Sequence, residues 1–113
     1  MLNDLILYRK YSDFIYYVYI LIDKLPRKER EAIGIDIRKY LIINYELIIK
    51  YYDNKLVSYL NNINVNMLIL NNLIRVIYKR KYISIKNYNA YVKKSGEIVK
   101  ISKGLIKYEE TKV

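Results

Sequence analysis

Residues 56–77 read LVSYLNNINVNMLILNNLIRVI, and the apolar side chains of this stretch decide the fold. Leu56, Leu60, Ile63, Met67, Leu70, Ile74 and Ile77 follow one another by alternating steps of four and three residues. An α-helix turns once in about 3.6 residues, so this alternation lines the whole set along one seam; a strand would need a period of two.

The same spacing recurs on both sides of that stretch. A first helix is expected over about 3–24, with Tyr11, Phe14, Ile15, Val18, Leu21 and Ile22 facing inward. A second is expected over 26–52, opened by the chain's one proline, Pro26, and carrying Ile33, Ile37, Leu41, Ile48 and Tyr52. DNK at 53–55 is the expected break before a third helix over 55–81. Ser84 has the side chain to cap a fourth, over 85–108, by accepting from an amide left free in the first turn. That helix repeats every seven residues, with Ile85, Val92, Val99 and Ile106 in one expected core row and Tyr88, Ser95 and Ser102 in the other. Ser95, Gly96, Ser102 and Gly104 are small enough to let a neighbouring helix come close. Connections this short force successive helices to reverse. The expectation is an all-α protein: a single domain over 1–113, folded as an antiparallel up-down-up-down four-helix bundle.

Composition removes many kinds of chemistry. The chain has no cysteine and no histidine, so it lacks a disulfide framework, a thiolate metal site, the commonest metal ligand and the commonest general base. The acids are scattered among basic neighbours, with no D-x-D or E-x-x-E in an apolar frame, so a two-metal nuclease is not indicated. No catalytic residue, metal or cofactor is expected, and an enzyme is not. The start of the chain shows no charged-then-apolar leader, and the longest uncharged apolar run, FIYYVYILI at 14–22, falls far short of the roughly 20 residues that span a bilayer. A cytoplasmic protein with no membrane partner is therefore expected.

The net charge is +10, and its distribution carries more information than its size. Isoleucine, lysine, asparagine and tyrosine dominate the composition as an AT-rich genome would make them, which raises lysine everywhere. That bias does not explain why residues 54–108 hold eleven Lys and Arg against one acid, Glu97, while residues 1–53 hold nine against eight. Lys86, Lys93, Lys100 and Lys107 recur at seven-residue spacing immediately beside an expected core row, joined by Lys94 and Lys103. Such a row extends roughly 32 Å at 1.5 Å per residue, comparable to one turn of a duplex. Reversal at each connection also gathers Lys24, Arg27, Lys28, Arg30, Lys79, Arg80, Lys81 and Lys86 at one end of the bundle, with Arg75 one turn before Lys79. Basic surfaces of this kind bind phosphate backbones without reading bases. Tyr82, Tyr88 and Tyr91 are the tyrosines near that end available to stack on exposed bases. Two apolar rows lie outside the core seams: Ile35, Ile42 and Ile49 on the second helix, and Tyr16, Tyr19 and Ile20 on the first. A second apolar face on a surface helix marks a subunit contact, so a homo-oligomer is expected.

Particular residues also carry a family resemblance. LPRKEREAIG at 25–34 with Ile37 and Arg38, YIS at 82–84 with Tyr88, and GEIVKISKGLIK at 96–107 resemble the small four-helix-bundle proteins that include the Avd-type accessory proteins of diversity-generating retroelements and the proteins encoded in ribosomal RNA intervening sequences. IINYELI at 42–48 departs from the small-residue run typical of the ribosomal branch and favours the Avd side. The resemblance implies a ring-like homopentamer that binds nucleic acid, RNA or an RNA–DNA hybrid, and associates with a reverse transcriptase. The alternatives are a ribosomal-RNA-associated bundle and an oligomeric adaptor that binds no nucleic acid.

Overall fold

The computed structural model describes residues 5–112. They form four long helices and one short helical turn: α1 (Ile6–Asp23), α2 (Arg27–Arg30), α3 (Ile33–Asn54), α4 (Val57–Lys79) and α5 (Ile85–Glu110). There is no strand among the described residues. Residues 3 and 4, expected to begin the first helix, lie outside them.

The stretch at 56–77 supplies α4, and its seam is the spine of the core. Leu60, Ile63, Met67, Leu70, Ile74 and Ile77 are all fully buried. Leu56 is not: it precedes the helix in extended conformation and is 52% exposed, since the residue that opens a helix does not share its inward face. Against this seam pack Leu7, Tyr11, Phe14, Val18, Leu21 and Ile22 of α1 and Ile37, Leu41 and Ile48 of α3. Ile15 and Ile33, expected inward, are half-buried. Each such burial contributes about 1.5–3 kcal/mol, a large fraction of a domain's net stability.

Side-chain contacts fix how the helices lie on one another. Between α1 and α3, Leu7 N donates to Tyr52 Oη (3.2 Å), Tyr45 Oη to Tyr8 Oη (2.9 Å) and Tyr11 Oη to the Leu41 carbonyl (2.9 Å). Between α4 and α5, Ser102 meets the Leu60 carbonyl, Ser95 and Tyr91 meet Asn71, and Tyr78 stacks on Tyr88. Between α1 and α5, Lys10 pairs with Glu97, Phe14 packs on Tyr91 and Tyr17 donates to the Asn87 carbonyl. In each set the partner's number falls as the chain number rises. The bundle measures 48 × 24 × 22 Å.

The second helix differs from the continuous span expected over 26–52. Pro26, at φ −56°, presets a helical turn as expected, but that turn lasts only four residues. Ala32, at ψ −96°, then redirects the chain into α3. Glu31 and Ala32 are both adequate helix formers, so local propensity does not announce the break. Just beyond the break Gly34 is buried at the start of α3, against Ile22 and the Glu29 carbonyl oxygen. At the far end the DNK break is found where expected, with α3 ending at Asn54 and Lys55 in left-handed conformation at φ 60°. Tyr51, not Tyr52, is the fully buried tyrosine there, and its hydroxyl donates to Glu109 at 2.6 Å.

The core row of α5 also departs from expectation. Ser84 caps the helix, accepting from Asn87 N at 3.0 Å. Ser95 and Ser102 are buried as expected, but their companions are Tyr91 and Ile98; Ile85 and Val92 are 56% and 49% exposed, and Val99 and Ile106 are half-buried. Both rows step by three and four from the same Tyr88, Ser95 and Ser102. The helix turns inward the row with the larger ring, which packs on Phe14 and bonds Asn71. Gly96 and Gly104 face open space, with nothing within 4 Å of where a Cβ would stand, so neither serves helix contact within the chain.

Candidate nucleic-acid interface

The rotation of α5 moves the lysine row. At about 100° per residue, Lys86, Lys93, Lys100 and Lys107 fall half a turn from Tyr91, Ser95, Ile98 and Ser102. The row is therefore on the outermost line of the helix, opposite the core and not beside it, and all four lysines are exposed. Lys94 and Lys103 lie on its two shoulders. Lys94 leans toward α1, its Nζ 5.2 Å from the centroid of the Tyr17 ring. Glu97 is drawn to the same side by Lys10, at 3.8 Å. Glu97 stands one turn from both Lys93 and Lys100, so one acid borders the row, its ion pair being with Lys10.

The basic end is assembled by one cross-chain contact. Arg80, just past α4, reaches Glu29 of α2 at 4.0 Å and lies over the Tyr82 ring at 5.9 Å. The Tyr82 side chain first, then the Glu29 charge, raise the pKa of this guanidinium above its ordinary value. This contact joins the turn that carries Arg27, Lys28 and Arg30 to the turn that carries Lys79 and Lys81. Arg27 is partly neutralised by Glu31 one turn on, at 3.2 Å. Among the described residues, no carboxylate lies within ion-pair distance of Lys28, Arg30, Lys79, Lys81 or Lys86. Lys86 belongs both to this end and to the α5 row, which makes the two one basic surface. Arg75 is exposed on α4.

The turn from α4 to α5 is closed by a pair of backbone bonds, Lys81 N to the Tyr78 carbonyl (2.9 Å) and Tyr82 N to the Ile77 carbonyl (3.0 Å). This motif needs a left-handed residue, usually glycine, and Lys81 fills it at φ 66°. A solvent-exposed lysine is thereby held at the lip of a cavity of about 380 Å³ lined by Tyr78, Lys79, Lys81, Ile83 and Ile85.

Of the tyrosines expected to meet bases, Tyr91 is excluded: it is 1% exposed and spent on Asn71. Tyr82 is half-buried under Arg80, and Tyr88 is stacked on Tyr78 at 4.4 Å and 10° between planes. Tyr78, which sequence reasoning missed, lines the cavity. Its position one residue before Lys79 was the available signal.

The apolar rows expected to meet a partner are mostly exposed. Ile35, Ile42 and Ile49 are 53%, 44% and 51% accessible, with Tyr16 and Ile20 also exposed; Tyr19 is half-buried against the core. A further apolar groove of about 430 Å³ was not foreseen. It runs between α4 and α5 and is lined by Leu68, Tyr88, Val92, Gly96 and Val99, among others. No group of three or more Asp or Glu side chains converges to hold a metal ion among the described residues, and no helix there is long and apolar enough to cross a membrane.

These features define a class: a small all-helical bundle whose exposed charge is gathered along one helix and at one end. A family model described as bAvd-like matches residues 5–109, and the chain belongs to that family. The resemblance read from the motifs at 25–34, 82–88 and 96–107 is thereby confirmed at family level. No curated protein matches the chain.

Proposed function

We propose that this protein is a sequence-tolerant nucleic-acid-binding accessory subunit of a diversity-generating retroelement, presenting RNA or an RNA–cDNA hybrid to a reverse transcriptase that carries out mutagenic cDNA synthesis. The chemistry belongs to the polymerase, and the bundle contributes no catalytic group. The observation that carries this reading is the lysine row on the outermost line of α5, joined through Lys86 to the basic end. Lysines about 10.5 Å apart along a rigid rod follow a phosphate backbone while leaving base edges unread. Membership of the bAvd-like family supports the polymerase partner.

The falling contact registers support an antiparallel up-down-up-down path, and the exposed Ile35, Ile42, Ile49, Tyr16 and Ile20 support assembly into a ring, pentameric by resemblance. Those apolar rows also favour the second reading, an oligomeric adaptor that uses no nucleic acid. Fluorescence anisotropy on RNA, duplex DNA and hybrid probes separates the two. The first reading expects log K to fall with log salt by about 0.9 per neutralised duplex phosphate, or about 0.7 on single strands. Changing Lys93, Lys100, Lys103 and Lys107 to glutamate abolishes most of that binding. Equal binding after these changes, or no salt dependence, refutes it.

A further inference from the structure

We propose that the cavity beside the turn from α4 to α5 holds one unpaired nucleotide, its base against Tyr78, Ile83 and Ile85 and its phosphate between Lys79 and Lys81. The inference rests on the nucleic-acid reading and sharpens it. It gives the basic end a preference for single-stranded over duplex nucleic acid.

The lining matches a nucleotide in both its halves. Ile83 is buried and Ile85 is 56% exposed, so they supply a floor and an open apolar wall. The Tyr78 ring is held by its stack on Tyr88 at 4.4 Å, which makes it a fixed aromatic surface. Lys79 and Lys81 both line the cavity, and among the described residues neither has a carboxylate within ion-pair distance. The cavity's 380 Å³ falls within the roughly 300–1,000 Å³ of small-molecule sites, enough for a nucleotide. A duplex keeps its bases paired and stacked inside, so it can offer this cavity only its backbone. An unpaired base presents a π-face, and stacking on an aromatic side chain tolerates any sequence.

Lys81, like Lys55 at the end of α3, closes its helix in left-handed conformation. Its left-handed φ of 66° is a conformation glycine adopts freely and a lysine does not. A glycine here would close the same backbone motif with less strain, so Lys81→Gly removes the ammonium group at the cavity's lip without disturbing the turn.

The test uses the full chain, with fluorescein-labelled dT12 and a 12-mer of abasic nucleotides that carries the same charges without bases. The wild type is expected to bind dT12 about tenfold more tightly than the abasic strand, within the range one base stacked on an aromatic ring supplies. Tyr78→Leu brings that ratio toward one while leaving abasic affinity unchanged. Lys81→Gly weakens both probes several-fold and raises the melting temperature, a pairing that a merely structural lysine does not give. Because Tyr78→Leu can disturb the stack on Tyr88, a second measurement needs only the wild type. Photocrosslinking with a 5-iodouridine strand should label the peptide bearing Tyr78. Equal affinity for dT12 and the abasic strand, or crosslinks confined to other peptides, overturns the cavity assignment while the wider reading stands. Failure of every nucleic-acid probe to bind at low salt overturns both.

Discussion

Replacing Asn71 by alanine tests how the interior of the bundle selects one face of α5. The Asn71 amide oxygen accepts from Tyr91 Oη at 2.8 Å and from Ser95 Oγ at 2.7 Å, and those two residues are 1% and 2% exposed. Without the amide, both hydroxyls lose their protein acceptor, in two side chains almost wholly buried along the groove between α4 and α5. An unsatisfied buried hydroxyl costs about 1–3 kcal/mol. Ser95 can turn to a carbonyl of its own helix, which leaves Tyr91 as the main loser. We therefore expect Asn71→Ala to destabilise by about 2–4 kcal/mol. Tyr91→Phe keeps the ring against Phe14, 5.5 Å between centroids, and costs about 1 kcal/mol. In a Tyr91→Phe/Ser95→Ala background, Asn71→Ala then costs only lost packing, about 1 kcal/mol or less. Urea denaturation followed by helical circular dichroism gives all four corners of this cycle. The same cost for Asn71→Ala in both backgrounds refutes the reasoning, because the amide would then not be acting through those hydroxyls.

Alkaline pH should unfold the protein cooperatively. Burial pushes the Tyr11 and Tyr91 hydroxyls far above the ordinary tyrosine value, and burial with the adjoining Glu109 does the same to Tyr51. Their folded pKa values lie above the unfolded one, so their contribution is complete below about pH 10 and is lost as pH rises beyond it, by up to about 1.4 kcal/mol per pH unit for each tyrosine. Thermal melts from pH 8 to 11.5 should be flat at first and then fall steeply, and Tyr51→Phe should soften the fall. Gly96→Ala and Gly104→Ala meet nothing within 4 Å and improve helix propensity, so each should stabilise the isolated chain by about 1 kcal/mol in the same urea assay. Ile42→Asp, at a position 44% exposed, should leave the fold intact and reduce the mass seen by light scattering; an unchanged mass places the subunit contact elsewhere.

How much of this was legible depended on whether one pattern or two fitted the residues. α4 offered a single seam, and six of its residues are the centre of the core. α5 offered two seams sharing Tyr88, Ser95 and Ser102, and periodicity cannot choose between them. The choice was made by what Tyr91 meets on α1 and α4, a contact between residues distant in the chain. The break at Ala32 was hidden because Glu31 and Ala32 are both adequate helix formers and carry no turn signal. Asn44, fully buried and bonded to Asn66 at 2.9 Å, was likewise invisible to a reading that seeks apolar residues. The clustering of charge was legible, because connection lengths alone bring the two basic turns together. The cavity was not, because it is formed by a backbone motif that ordinarily announces itself with glycine and here uses Lys81.

The placement of the α5 lysines has a bearing on how such a protein can change. Residues on the outermost line of the helix make no contact with the interior, so their identity is nearly free of the demands of folding. Tyr91, Ser95, Ile98 and Ser102 hold the helix in place, and a different set of positions in the same residues of chain sets the charge it shows. Lineages can therefore change the charge along this line one residue at a time without passing through unfolded intermediates. For an engineer, the same helix is a scaffold on which surface charge can be rewritten while melting temperature stays level.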